Sequence, residues 1–374
     1  MKRPTKKLAE LELRGFKSIA YDKPLNLQFG AVNILLGANG AGKSNIISFF
    51  KMLSYMATGA FQQYVAQYGT SEIFLHYGAK KTPALSASLR FDGNNCYDLY
   101  SFCLANAVPN RLIVASEEIK WKSRNAKTDS PGIKQLKSDF NESALVSSSG
   151  MTEKSVLRLV SGCKVYQFSD SSSSAPMRLA STVESAHYLQ SEANNLASFL
   201  YYLKQHYLES YRRIVSYVRE VVPQFHDFYL EPENKYISLK WIDVSPNDYV
   251  LSAHQFSDGS IRFIALATLL LQPEETMPHV IIIDEPELGL HPYAIDQLTE
   301  MIKDASLHAQ IIVATQSPAI IDGFSANDVT IIERDAASQS SIARKLNAED
   351  YKEWLNEYTL SELWDKNIIG GRPV

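Results

Sequence analysis

Hydrophobic positions change their spacing several times along the chain, and each change marks a predicted element. "LAELELRGFKSI" (residues 8–19) alternates apolar and polar positions, the period of a strand with one buried face. "VNILL" (32–36) drops the alternation, as expected for a strand buried on both faces. A glycine-rich turn follows it, and "NIISFFKML" then reads as a helix. From about residue 70 to 180 the alternation returns. "PALSASLRFDGNNCYDLYSF" and "RLIVASEEIKWKS" read as strands with turn chemistry at "DGNN" and "VPN", while "DSPG", "VSSSG" and "SDSSSSAP" read as loops. Between 195 and 222, Leu196, Leu200, Leu203, Tyr207, Tyr211, Ile214 and Val218 recur every three or four residues, which predicts one long amphipathic helix. From residue 252 onward helix and strand patterns alternate: helix 259–271, strand 279–283, helix 291–306, strands 310–315 and 328–333. That is the rhythm of a sheet with helices on its faces.

The turns and strand ends carry the chemistry. "GANGAGKS" (Gly37, Ala38, Asn39, Gly40, Ala41, Gly42, Lys43, Ser44) satisfies G-x-x-x-x-G-K-[ST] at every required position, between a buried strand and a helix. Its glycines let consecutive backbone N–H groups converge on phosphate oxygens. Lys43 is placed to reach the β- and γ-phosphates, Ser44 to offer a hydroxyl to magnesium, and Asn45 completes this group of predicted nucleotide contacts. "HVIIIDEPELGLHP" ends a buried strand in two carboxylates. Asp284 is positioned for the magnesium shell and Glu285 to polarise a water in line with the γ-phosphate, with Lys43 and Glu285 as catalytic groups. "QIIVATQSP" ends in Thr315, Gln316 and Ser317; the Gln316 amide could meet the γ-phosphate or the attacking water, or cap the next helix. "HQFSDGSIRF" places Ser257, Asp258, Gly259 and Ser260 at a helix start, which suits either an anion or an ordinary N-cap.

These four stretches, in this order and with "LELRGFKSI" before them, resemble the ABC-type ATPase head of the RecF, SMC and OLD-like group. The nearest likeness is its compact AAA-type branch with short or absent arms. The resemblance covers the first 50 residues and about the last 125 of 374. It implies an α/β fold: a P-loop NTPase head, a mixed sheet flanked by helices, with an inserted β-rich and helical lobe. The expected division is 1–60 for the first half of the head, 61–250 for the insert (β-rich over 70–180, helical over 192–222), and 251–374 for the second half. It further implies ATP and Mg2+, and a homodimer or higher oligomer in which "FSDGS" of one head closes on the ATP of the other. Asp258 stands where many relatives have glycine, and Gln316 where many have a histidine; glutamine carries no proton at neutral pH. The implied role is a nucleotide-driven switch in DNA repair or anti-phage defence, acting on a separate nuclease or toxin because no Toprim domain follows the last strand. A non-catalytic, ATP-clamped scaffold that restrains an effector is the alternative. The glutamine that couples the two lobes in such heads has three candidates here, Gln62, Gln63 and Gln67.

Composition narrows this further. No apolar run approaches the roughly 20 residues that span a bilayer, and no secretory h-region follows the basic N-terminus. Three cysteines without metal-like spacing fit reduced thiols in a cytoplasmic protein. The net charge of −4 argues against a surface built wholly for nucleic acid. DNA contact, if made, rests on the N-terminal cluster (Lys2, Arg3, Lys6, Lys7, Arg14, Lys17, Lys23) and on Arg212 and Arg213. A second cluster, Lys120, Lys122, Arg124, Lys127, Lys134 and Lys137, reads equally as a solvated loop or a nucleic-acid site.

Overall fold

The computed structural model describes residues 6–109, 111–122, 130–137, 141–245 and 249–372. Two six-stranded sheets enclose one helix. The first sheet runs in the order Ser341–Lys345, Val329–Arg334, Val32–Leu36, Gln310–Thr315, Val280–Asp284, Cys163–Tyr166. Its strands pair in parallel except for Ser341–Lys345, which lies antiparallel at one edge. The all-apolar runs explain this placement, because their alternate residues feed two different cores. Ile281 and Ile283 pack with the helices Asp258–Leu270 and Pro292–Ala305, whereas Val280 and Ile282 pack with the helix Lys43–Thr58.

The second sheet is antiparallel, in the order Leu25–Gln28, Lys7–Arg14, Ala84–Gly93, Cys96–Ala107, Arg111–Lys122, Gly132–Leu136. Its inward residues Leu11, Leu13, Leu85, Leu89 and Phe102 cover the other side of the helix Lys43–Thr58. Nine residues of that helix are consequently buried, and the loop before it is fixed between two rigid layers.

The predicted division at 60/61 and 250/251 cuts across these sheets. The strands Lys7–Arg14 and Leu25–Gln28, expected in the first half of the head, join the antiparallel sheet of the expected insert. The strand Cys163–Tyr166, expected within the insert, closes the edge of the parallel sheet. Alternation identifies a strand with one buried face but says nothing of its partner, so the exchange was not readable from period alone.

The helix expected over 195–222 is two helices, Leu196–His206 and Leu208–Val221, broken at Tyr207, whose backbone leaves the helical region (φ −140°, ψ 58°). The periodicity carries across the break because Leu200, Leu203, Tyr211, Ile214 and Val218 all face the same core. The serine-rich loop before residue 176 is anchored rather than loose, with Ser171 and Ala175 buried. A three-stranded sheet (Phe225–Tyr229, Lys240–Asp243, Val250–Ser252) brings Phe225 and Trp241 behind Phe256. Trp241 stacks on Phe256 at 4.7 Å, which fixes the residue before Ser257.

Candidate active site

Strand register brings the predicted chemistry to one edge. Leu36 lies opposite Thr315, Ala314 opposite Asp284, and Ile283 opposite Tyr166. The phosphate loop, the switch residues Thr315 and Gln316, the carboxylates and Gln167 therefore leave four adjacent parallel strands at the same level, at their carboxyl ends.

The phosphate loop is shaped by close approaches. A side chain on Gly37 would meet the Ile332 carbonyl at 2.2 Å, and one on Gly42 (φ 117°) would meet the Ser341 hydroxyl at 2.1 Å. Ser341 donates to the Ala41 carbonyl (2.6 Å) and its hydroxyl lies 2.6 Å from that of Ser18. Asn45 donates to Ser18 at 2.7 Å, so it braces the loop from within the helix. Lys43 lies folded over the loop and donates to the carbonyls of Gly37 (2.6 Å) and Ala38 (3.1 Å). Burial lowers its pKa, while Glu285, Asp284 and Glu287 oppose that shift. Ser44 is exposed at the helix start.

Burial raises the pKa of Asp284, against the effects of Gln167 and Lys43; Gln167 donates an amide N–H to it at 3.1 Å. Glu285 has a left-handed backbone (φ 44°), an uncommon conformation for a non-glycine residue, and its N–H donates to the Ala314 carbonyl at 2.8 Å. Gln316 is half-buried, and Ser317, not Gln316, occupies the N-cap position of the following 3-10 turn Pro318–Gly323. The oxygen donors Ser44 and Asp284 form the kind of set Mg2+ takes when it retains waters and phosphate oxygens. Among the described residues no cluster of His, Cys, Asp and Glu forms a self-contained metal site.

Two residues in contact with the strand ends Asp284 and Thr315 escaped the sequence reading. Gln62, Gln63 and Gln67 sit on the helix Phe61–Gln67, where Gln62 donates to the Leu112 and Asn141 carbonyls. The glutamine beside the carboxylates is Gln167. Its signal was present in "CKVYQF", a short strand ending in a polar side chain just as "IIIDE" and "IVATQ" do. Glu287 is the second. It is buried, it accepts a hydrogen bond from the Thr315 hydroxyl, and its Oε2 has no hydrogen-bond partner among the described residues. Thr315 also receives the Ser317 N–H at 2.9 Å, so Glu287 reaches both residues that flank Gln316.

Burial holds the Glu287 pKa above its ordinary value. A carboxyl raised on folding contributes stability in acid and loses it as pH rises through the folded pKa. Glu287→Gln is therefore expected to melt at a higher temperature than the parent at pH 8, with the difference closing toward pH 4. A pH series of nucleotide-free melting curves checks this, and an unchanged gap across the series refutes it.

The signature turn, "FSDGS" (Phe256–Ser260), is held by two arginines. Ser257 caps the helix Asp258–Leu270, accepting the Ser260 N–H at 3.1 Å, so the N-cap reading holds within this chain. The Asp258 carboxylate receives Arg178 Nη2 at 3.0 Å. Gly259 is required by its own chain, since a Cβ there would meet the Gly289 carbonyl at 2.5 Å. Arg262 donates to the Phe168 carbonyl (3.0 Å) and the Leu288 carbonyl (2.9 Å), tying the signature helix to the segments after Gln167 and after Glu287.

A parallel sheet whose phosphate loop, acidic strand end and polar switch strand lie level, backed by an antiparallel sheet across the loop's helix, has close structural parallels. The chain superposes on the SMC head bound to the C-winged helix domain of ScpA with a TM-score of 0.62, at 15% identity, covering 93% of this chain and 99% of that one. The fold is that of an SMC-type head domain. A second SMC head, with an extended coiled coil and bound to the C-terminal domain of ScpA derived from Pyrococcus furiosus, matches this head with a TM-score of 0.54 at 15% identity over 94% and 99% of the two chains. A family model described as "AAA domain, putative AbiEii toxin, Type IV TA system" matches residues 166–322 of the head, from beside Gln167 through the switch turn. No curated protein matches it. No helix among the described residues is long and apolar enough to cross a membrane.

Proposed function

We propose that this head binds Mg-ATP at the phosphate loop, pairs with a second copy across two nucleotides, and uses hydrolysis to reopen the pair. The observation that carries the reading is the level alignment of Gly37–Ser44, Asp284–Glu285, Thr315–Gln316 and Gln167 at one sheet edge. Phosphoryl transfer asks chiefly for positioning and charge neutralisation, and this edge offers both. Bound Mg2+ would supply charge neutralisation at the phosphates, held through Ser44 and Asp284. Glu285 would accept a proton from the attacking water, Gln167 would orient Asp284, and Gln316 would hold the water or the γ-phosphate.

The signature turn supports the trans arrangement. Ser257 and Asp258 are exposed, and among the described residues the hydrogen bonds from this segment to other elements run to Arg178, Phe168, Ser169 and Leu288, not to the phosphate loop. An exposed helix start that makes no bond to its own phosphate loop suits the nucleotide of another chain. The resemblance to defence and repair ATPases and the toxin–antitoxin family model extend the reading to a switch that restrains a separate nuclease or toxin. DNA contact is a separate proposal, carried by the exposed Lys7 and Arg212 more than by the other predicted basic residues. Lys6, Arg14 and Lys23 pair with Asp98, Glu12 and Asp335, Lys17 is half-buried against Ser48, and Arg213 pairs with Asp304. Lys134 likewise pairs with Glu153, and Lys2, Arg3, Arg124 and Lys127 lie outside the described residues.

Light scattering with a non-hydrolysable ATP analogue and magnesium tests the proposal. The expected mass is twice that of the nucleotide-free chain, and Ser257→Arg is expected to bind the analogue yet remain at monomer mass. Doubling that is indifferent to nucleotide, or that survives in Ser257→Arg, overturns the trans pairing.

A further inference from the structure

The last described residues, "NIIGGR", do more than end the chain. The helix Leu360–Asp365 is anchored on its first turn to the switch side of the site: the Ser361 N–H and hydroxyl both donate to Asp322, at 2.8 and 2.6 Å. Asp322 lies in the 3-10 turn that follows Gln316 and Ser317. The chain then crosses the parallel sheet. Ile369 is fully buried and its carbonyl receives Arg344 Nη2 at 2.7 Å. Gly371 donates its N–H to Glu333 (3.1 Å), and its carbonyl receives the N–H of Ala38 at 3.2 Å. Ala38 is the second residue of the phosphate loop.

The Gly370–Gly371 turn is tailored to this contact. Both residues have positive φ (72° and 83°). A Cβ on Gly371 would lie 2.6 Å from the Trp364 ring and 2.7 Å from Ile331, so the backbone passes through a slot only glycine fits. The bond to Ala38 leaves the phosphate-facing part of the loop untouched: among the described residues, the N–H groups of Gly40, Gly42, Lys43 and Ser44 donate to no backbone carbonyl outside the helix.

We propose that residues 359–372 form a strap that holds the entry of the phosphate loop in register with the switch turn, with Gly371 as a positioning residue for nucleotide binding. The inference rests on the reading that this loop binds Mg-ATP. One end of the strap fixes Ala38 and the other fixes Asp322, so the two walls of the nucleotide site share a support that is remote from both in sequence. Loss of the strap frees the loop entry and raises the ordering cost that nucleotide binding must meet.

The test is Mg-ATP titration calorimetry on the full chain and on Gly371→Ala, with hydrogen exchange at Ala38 in the absence of nucleotide. Gly371→Ala is expected to bind at least 10-fold more weakly and to lose protection at Ala38. Val218→Ala, a core truncation on the helix Leu208–Val221, controls for general destabilisation and is expected to lower thermal stability with unchanged ATP affinity. Affinity within twofold of the parent for Gly371→Ala, or an equal loss in Val218→Ala, overturns the strap. If the parent chain itself binds no Mg-ATP, the nucleotide reading fails, and the exchange at Ala38 still decides whether the strap holds the loop. Should Gly371→Ala not fold, Ser361→Ala replaces it, with about threefold weaker binding expected and none lost if the strap is idle.

Discussion

Glu285→Gln is expected to lower ATP turnover by about 10²–10⁴-fold, the usual contribution of a positioned general base, while leaving Mg-ATP affinity nearly unchanged. The substitution keeps shape and removes only the proton acceptor. Asp284 and Lys43 remain to hold the nucleotide, so binding and chemistry should separate. The backbone at Glu285 supports this assignment. A left-handed non-glycine residue costs of order 1–3 kcal/mol, and here the strand beside it enforces that conformation through the bond to Ala314. The twist takes residue 285 out of the strand alternation, and both adjacent carboxylates come near Lys43. Single-turnover and steady-state phosphate release on the variant check the expectation, together with light scattering in ATP. If turnover is the same in parent and variant, Glu285 is not the base. A parent chain that binds ATP but hydrolyses none at all favours the ATP-clamped scaffold, for which Gln316 in place of a proton carrier is the structural argument.

The chemistry was more legible than the architecture, and for a physical reason. A phosphate loop needs small residues at fixed spacing because backbone amides must converge, so "GANGAGKS" carries its geometry in the sequence. The same holds for "IIIDE", where the run of buried residues fixes the strand and its end fixes the carboxylate. What could not be read was which strand pairs with which. Cys163–Tyr166 is only four residues long, so its place beside Val280–Asp284, and with it the position of Gln167 beside Asp284, emerged only from register. The antiparallel edge strand Ser341–Lys345 escaped for a related reason: its mixed polar sequence gives no clean period, yet Ser341 braces Gly42. The break at Tyr207 was invisible because both helices present the same apolar stripe to one core. Nothing in the sequence around Asp258 pointed to its partner Arg178, 80 positions earlier in the chain.

That partner has the second large expected effect. Arg178→Met is expected to cost roughly 3 kcal/mol of stability and to reduce turnover far more than it reduces ATP affinity. The Arg178 side chain is only 4% exposed, and it donates to the carbonyls of Ser171 (3.1 Å), Ala253 and Phe256 (3.2 Å) as well as to Asp258. Three of those acceptors flank the signature turn directly, so one guanidinium sets both the path of the chain into Ser257 and the charge beside it. Methionine fills much of the space but leaves buried carbonyls without donors and the Asp258 carboxylate unopposed. The nucleotide pocket of the same chain lies on other elements, so monomer binding of Mg-ATP should survive while ATP-dependent pairing is lost. Asp258→Gly supplies the contrast: it removes the carboxylate, keeps the three carbonyl bonds, and should cost under about 1 kcal/mol, as expected for a pair whose acidic partner is 68% exposed. Chemical denaturation, ATP titration and light scattering on both variants separate the two roles of Arg178. Normal ATP-dependent pairing in Arg178→Met would reduce this arginine to a core support and return the signature turn to an ordinary helix cap.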